Sequence, residues 1–221
     1  MKRAVFLLAL LFVSVVTVDA QSVVGTWSYK NPVGKVEGAD FGNKMANSAF
    51  QSMIRGALKK EFAHELDSIG VTRKNLSLVL NANGSFRMPA PGGVVSGIYK
   101  YNESTGALTL MARNGCTASG RMELADSKLT LYFALEELTD FMILVGSAKY
   151  GDTLSVSALE EIRVLREESA RELQQMNYEL AHIGNRLREE DKEGQIGEEN
   201  IDKLSDALSR MRMYAGLVFG H

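Results

Sequence analysis

The chain has 221 residues, of which 45% are hydrophobic and 24% charged, with a formal net charge of −2. That length can bury one sizeable hydrophobic core and leaves room for a second small module. Residues 21–151 contain 14 Lys and Arg against 11 Asp and Glu, whereas residues 152–221 contain 9 against 15. Neither part is basic enough for a nucleic-acid-binding surface, so we expect no nucleic-acid partner and a C-terminal segment of a different kind.

Residues 1–20 have the pattern of a cleaved secretory signal peptide. Lys2 and Arg3 form a positive start, an apolar run over 4–16 follows, and small residues precede the expected cleavage point. The single cysteine, Cys116, is far from that point, so no lipoprotein anchor is expected and no intramolecular disulfide can form. We therefore expect an exported protein, periplasmic or extracellular, with no membrane span in its mature part.

The segment 23–30 predicts the first β-strand and carries the only Trp of the chain, Trp27. Alternation places Trp27 and Tyr29 on one face and Thr26 and Ser28 on the other. A large ring on the inward face favours a structural plug at one end of the fold. The Pro- and Gly-containing residues 31–42 predict a loop.

Residues 44–69 predict an amphipathic helix, because apolar side chains recur at helical spacing and charged ones lie opposite. Phe50, Met53 and Phe62 belong to the apolar stripe, and Gly70 provides a stop.

From Asn75 the hydrophobic period changes to two. Asn83-Gly84 is one of several hairpin signals that separate the short apolar runs. The runs predict strands over residues 75–80, 84–88, 94–101, 107–113, 117–124 and 128–135. Strands joined by such tight turns must be antiparallel neighbours.

Residues 136–150 predict another helix, after which Ser155 opens a long one with Ser157 and Glu160 available as a capping box. Apolar spacing from Leu173 onward resembles a coiled-coil heptad. A polar break at 189–197 leads to a further helix over 201–211 and a last strand over 213–219. The segment 152–212 therefore predicts an antiparallel helical hairpin inserted before the closing strand.

These elements predict a mainly β fold with helices, built on an eight-stranded antiparallel β-barrel. Pairing the last strand with the first would remove both open edges of the sheet. The expected organisation is a signal peptide at 1–20, a barrel formed by 21–151 and 213–221, and the helical hairpin at 152–212. An eight-stranded barrel is either filled by its own side chains or holds one small ligand.

The residues Gly25-Thr26-Trp27 resemble the Gly-x-Trp signature of the calycins, the lipocalins and fatty-acid-binding proteins, whose Trp closes one barrel end. The helix after the first strand, the hairpin at 75–86 and the segments 97–101 and 107–110 are similar to a lipocalin-like domain of unknown function from exported proteins of Gram-negative gut bacteria. This resemblance implies the barrel fold and, by analogy, a lumen for an apolar molecule.

The candidate ligand-binding residues are inward-facing side chains of the predicted barrel, and the sequence leaves open whether they line a cavity or fill it. The lumen candidates are Trp27, Leu78, Leu80, Phe86, Tyr99, Tyr101, Leu110, Leu131 and Phe133. The helix over 44–69 would act as a lid through Phe50, Met53 and Phe62.

No catalytic, metal or cofactor motif stands out. His64-Glu65 lacks a second His four residues on, and Cys116 has no His or Asp in a recognisable nucleophile context. Phosphate loops, nucleophile elbows and Cys-x-x-Cys pairs are absent from the sequence. We therefore expect a protein that is not an enzyme and uses no cofactor.

Two functions follow from the sequence. In the first, the barrel binds a small hydrophobic molecule in its lumen. In the second, the barrel is a solid scaffold and the acidic hairpin at 152–212 binds a protein partner or a second copy of the chain, since an unmatched apolar helix stripe favours a partner helix.

Overall fold

The computed structural model describes residues 23–38, 44–190 and 198–221. The predicted signal peptide and the polar break between the last two helices lie largely outside these residues. The elements are β1 Gly25–Glu37, α1 Lys44–Ser68, β2 Ser77–Leu80, β3 Ser85–Ala90, β4 Gly93–Asn102, β5 Ala107–Ala112, β6 Thr117–Ala125, β7 Lys128–Ala134, α2 Leu135–Gly146, a 3-10 helix Ser147–Tyr150, α3 Val156–Glu190, α4 Glu198–Arg210 and β8 Arg212–Gly220.

The strands β1 to β8 form one closed antiparallel barrel in sequence order. β8 lies between β7 and β1, with Leu131 opposite Leu217 on one side and Tyr29 opposite Phe219 on the other. The closing pair removes both sheet edges, which confirms the predicted mainly β architecture of an eight-stranded barrel with helices.

The first strand is longer than the sequence predicts. Residues 31–37, expected to be a loop, continue β1 after a bulge between Tyr29 and Asn31 and pair with β8. β2 pairs only with the first part of β1, over Gly25 to Ser28. The second part of β1 therefore has a single strand neighbour, a position that tolerates Pro32 and its missing N–H group.

Alternation along β1 places its aromatic rings inside the barrel, as predicted. Trp27 and Tyr29 are 2% and 6% exposed, while Thr26 is exposed. The Trp27 indole N–H donates to the Val23 carbonyl at 2.9 Å, and its ring lies 4.2 Å from the His221 ring, centroid to centroid. Trp27 thus closes one end of the barrel together with residues from before β1 and after β8.

The helix α1 covers the inner face of the second half of β1. A Cβ atom at Gly34 would lie only 2.6 Å from the Arg55 carbonyl oxygen and 3.0 Å from the Leu58 Cβ. Further along α1, Phe62 and Leu66 are buried in the same core as the barrel interior. The absence of a side chain at Gly34 is what allows this close helix–strand contact.

The helix α2 contributes to the same core from the side of β6 and β7. The Phe141 ring stacks on Phe133 of β7 with centroids 4.2 Å apart, and Leu144 and Val145 are fully buried. The hydrophobic core is therefore formed by the barrel interior, which includes Trp27, together with the buried faces of α1 and α2.

The helices α3 and α4 pack on this assembly. Ser155 caps α3 by accepting a hydrogen bond from the Ala158 N–H at 3.2 Å, so the predicted capping box of Ser157 and Glu160 is wrong. Glu160 instead pairs with Arg163 one turn further along. The Leu208 and Ala207 side chains of α4 are buried, and α4 contacts α3. Among the described helices, none is both long enough and apolar enough to span a membrane.

Candidate ligand-binding groove

The predicted lumen residues come together, but as neighbours in a closely packed core. Seven of them are 2% exposed or less, namely Trp27, Leu78, Leu80, Phe86, Leu110, Leu131 and Phe133. Tyr99 and Tyr101 are half-buried and pack against the same core. The Tyr99 hydroxyl donates to the Asn81 carbonyl at 3.0 Å, which holds its polar end at the β2–β3 turn.

Tyr29 is one of the side chains buried in this interior. Burial, with a smaller contribution from the Asp67 carboxylate, raises the pKa of the Tyr29 hydroxyl to about 12. Its ring meets Phe219 edge-on, with centroids 6.1 Å apart. A ligand inside the barrel would have to displace side chains that already fill the space around Tyr29.

The predicted lid residues do not share one face. Phe62 is 2% exposed and points into the core, and Phe50 is half-buried. Met53 is 61% exposed, so its assignment to an inward-facing lid is wrong. The contact face of α1 runs back from Phe62 through Leu58, and a further step of four residues leads to Ile54 rather than Met53.

A groove of about 630 Å³ lies outside the barrel, between α1, α2, the 3-10 helix and α3. Its apolar lining consists of Ile69, Leu135, Leu138, Met142, Ile143, Ile162, Leu165 and Leu173. Protein sites for small molecules have this size and this mainly apolar lining. The groove therefore has the form of a binding site for one small, largely apolar molecule.

Three contacts hold α3 beside α2 and the 3-10 helix and so keep this groove formed. The Arg166 guanidinium lies 2.8 Å from the Asp140 carboxylate, and the Thr139 and Ser169 hydroxyls hydrogen-bond to each other. At the other end, the Tyr150 hydroxyl donates to a Glu161 carboxylate oxygen at 2.8 Å.

The polar groups of the groove are mostly acidic. Glu61 and Glu65 line it from α1, and Glu161 and Glu172 line it from α3. Lys149 is the basic side chain in the lining, and its ammonium lies 4.0 Å from Glu161 and 4.7 Å from the centre of the Tyr150 ring.

Sequence reasoning missed this groove, although it predicted each of the helices that form it. The stripe of α2 containing Leu138 and Met142 was visible as apolar periodicity. Its partners on α1 and α3 are distant in sequence, so no local pattern brings the three helices together.

A second groove of about 890 Å³ lies where β8 and α4 meet the start of α2. Arg121, Arg212, Glu136 and Glu137 line it together with Leu208. Burial raises the pKa of the Glu137 carboxyl, whose oxygen accepts a hydrogen bond from the Ala134 N–H at 3.4 Å. This mixture of opposite charges makes the second groove the less suitable of the two for an apolar ligand.

The thiol of Cys116 is not activated as a nucleophile, and the described residues offer no metal site. Cys116 is buried, and burial raises the pKa of its thiol, which disfavours the nucleophilic thiolate. Among the described residues, no group of three His, Cys, Asp or Glu side chains could hold a metal ion.

The match to a known protein family agrees with the observed barrel fold. A family model described as a lipocalin-like domain (DUF4923) matches residues 9–162, which include β1 to β7 and α2. Searches of curated proteins and of solved structures gave no match. Since the family model covers more than half of the chain and the strands close into an eight-stranded barrel, the chain belongs to this lipocalin-like domain family of unknown function.

Proposed function

We propose that this lipocalin-like protein is exported, is not an enzyme, and binds a small hydrophobic molecule in the groove between α1, α2 and α3. The observation that carries the proposal is a groove of about 630 Å³ with an apolar lining, beside a barrel filled by its own side chains. Binding in the barrel lumen stays a prediction of the sequence and would require the core to open.

The apolar lining supplies the binding energy. Removing apolar surface from water contributes about 25 cal/mol per Å². Leu165, at 52% exposure, and the half-buried Met142 present such surface to the groove, and a ligand would cover it. The proposed lid helix α1 keeps a role here as one wall of the groove.

Two leucines of α3 allow a matched test of this site. Leu165 lines the groove, whereas Leu159 does not, and the two are almost equally exposed at 52% and 53%. The probe is N-phenyl-1-naphthylamine, a neutral apolar dye that brightens in dry surroundings. We expect saturable binding by the protein, loss of binding with Leu165→Arg, and unchanged binding with Leu159→Arg.

Two results would refute ligand binding in the groove. If neither the wild type nor the variants bind the dye, the protein is not a binder of small apolar molecules. If Leu165→Arg binds as tightly as Leu159→Arg, the dye occupies another place, and the lumen becomes the leading alternative. Circular dichroism spectra of the three proteins must coincide, because an unfolded variant would lose binding for an unrelated reason.

Self-association through the hairpin is a second candidate function. Val156, Leu159 and Tyr178 of α3 are 84%, 53% and 64% exposed, which is unusual for large apolar side chains on one helix. A second copy of the chain could cover them. Native mass spectrometry would then give a dimer that Leu159→Arg dissociates, whereas a monomeric wild type would exclude this function.

A further inference from the structure

The charge around the groove restricts what kind of apolar molecule it accepts. Four carboxylates line the groove, from Glu61, Glu65, Glu161 and Glu172, against the single ammonium of Lys149. An apolar groove whose rim carries one sign of charge selects ligands of the opposite sign.

Part of this charge is already balanced within the protein. The Lys149 ammonium lies 4.0 Å from Glu161, and the Tyr150 hydroxyl donates to the same carboxylate. Glu161 and Lys149 therefore largely offset each other at the end of the groove formed by the 3-10 helix. The uncompensated charge comes from Glu61, Glu65 and Glu172.

Two arginines of α3 are already paired with other carboxylates. Arg163 pairs with Glu160 and Glu167 on its own helix, and Arg166 pairs with Asp140 of α2. Within the described residues, no ion pair is formed by Glu61, Glu65 or Glu172 at a distance of 4.0 Å or less.

The backbone dipole of α1 adds to the negative potential. The C-terminal end of α1 lines the groove through Ser68 and the following Ile69. A helix carries about half a negative charge at its C-terminus, which a basic residue in the last turn can offset. The last turn of α1 has no basic residue, whereas α2 continues into the 3-10 helix, whose last turn contains Lys149.

We propose that the ligand of this groove is a cationic amphiphile, an apolar chain or ring system that carries an amine or quaternary ammonium group. This inference rests on the proposed function. The apolar part covers Leu138, Met142 and Leu165, and the cationic group lies against the carboxylates of the rim. Fatty acids and other anionic amphiphiles bind weakly, because their charge meets the same carboxylates.

Three probes with the same ten-carbon chain separate charge from hydrophobicity: decyltrimethylammonium, decanol and decanoate. Each is titrated in competition with N-phenyl-1-naphthylamine, the two ionic probes below their micelle concentrations and decanol below its solubility limit. We expect decyltrimethylammonium to bind about tenfold more tightly than decanoate, since the same carboxylates attract the first charge and repel the second. Decanol should lie between the two.

A pair of double variants tests the carboxylates themselves. Glu65→Gln with Glu172→Gln removes two charges from the groove, and Glu103→Gln with Asp126→Asn removes two exposed charges outside it. The first pair should weaken decyltrimethylammonium binding about threefold to fivefold and leave decanol unchanged. The second pair should change neither. Raising NaCl from about 50 to about 500 mM should weaken binding of the cation alone.

The outcomes distinguish the two proposals. If all three probes bind equally and both double variants behave as the wild type, the charge preference is wrong while the groove stands. If decanoate binds most tightly, the preference is reversed and the inference is overturned. If no probe binds, the groove is not a site for amphiphiles and the proposed function fails with it.

Discussion

The indole ring of Trp27 and the imidazole ring of His221 lie 4.2 Å apart, centroid to centroid, at an angle of 34°. Trp27 stands near the start of β1 and His221 follows the end of β8, so this contact lies where the first and last strands of the barrel meet. The Lys30 ammonium also donates to the His221 carbonyl at 3.3 Å. The barrel is thus closed at this end by side chains as well as by strand pairing.

Replacing His221 with Ala tests how much this ring contact contributes. Aromatic contacts of this kind contribute about 0.5–1.5 kcal/mol beyond their buried area, so we expect His221→Ala to lower the free energy of unfolding by about 1 kcal/mol. The hydrogen bond from the Lys30 ammonium to the His221 backbone carbonyl does not depend on the His221 side chain. Urea denaturation of the variant and the wild type measures the change. Equal stability of the two proteins would show that the ring contact contributes nothing.

Replacing glycine with alanine is expected to have opposite effects on stability at Gly34 and at Gly56. A Cβ at Gly34 would lie 2.6 Å from the Arg55 carbonyl oxygen, whereas a Cβ at Gly56 in α1 would have no atom within 4 Å. We expect Gly34→Ala to destabilise the protein by about 1–3 kcal/mol through overpacking. Gly56→Ala should stabilise it by up to about 1 kcal/mol, because Ala has the higher helix propensity. Thermal denaturation of both variants measures this, and a harmless Gly34→Ala would contradict the close packing of α1 on β1.

Burial of Tyr29 predicts a loss of stability in alkali. The pKa of this hydroxyl is raised to about 12 in the folded protein, from an ordinary value of 10. Below pH 10 the hydroxyl is protonated in both states, and between pH 10 and 12 the unfolded chain loses the proton first. Stability therefore falls as the pH rises through this window.

Tyr29→Phe should make the difference in stability between pH 8 and pH 11 smaller. Burial also raises the pKa values of Tyr101 and Tyr132, so part of the alkaline loss remains in the variant. Tyr178→Phe, at a position that is 64% exposed, is the control and should leave the loss unchanged. If the two variants respond identically to pH, the assignment of the effect to Tyr29 is wrong.

The barrel was predictable because its signals are local. A period of two, turn residues such as Asn83-Gly84, and the need to remove sheet edges together predicted eight strands in a closed order. The extension of β1 through Pro32 was not predictable, since Asn31-Pro32 is itself a turn signal. Only pairing with β8, nearly 190 residues away along the chain, overrides that signal.

The candidate site was less accessible to sequence reasoning. Helical spacing predicts the apolar stripe of α1 but not which of its side chains face the core. Met53, which is predicted to face inward, is 61% exposed. The groove depends on which apolar side chains of α2 remain uncovered after Phe141 and Leu144 enter the core. The sequence shows that all four side chains are apolar. It does not show that Phe141 and Leu144 are buried whereas Leu138 and Met142 keep surface available to a ligand.

Methionine methyl groups provide the most direct test of where a ligand binds. Met142 lines the groove, whereas Met88 and Met122 are each 1% exposed inside the barrel. In protein labelled with ¹³C at the methionine methyls, Met142→Leu identifies the groove signal, and titration with N-phenyl-1-naphthylamine reports contact through ring-current shifts. Binding in the groove predicts that the Met142 signal moves while those of Met88 and Met122 stay in place. Movement of Met88 and Met122 with Met142 unchanged would place the ligand in the lumen and contradict binding in the groove.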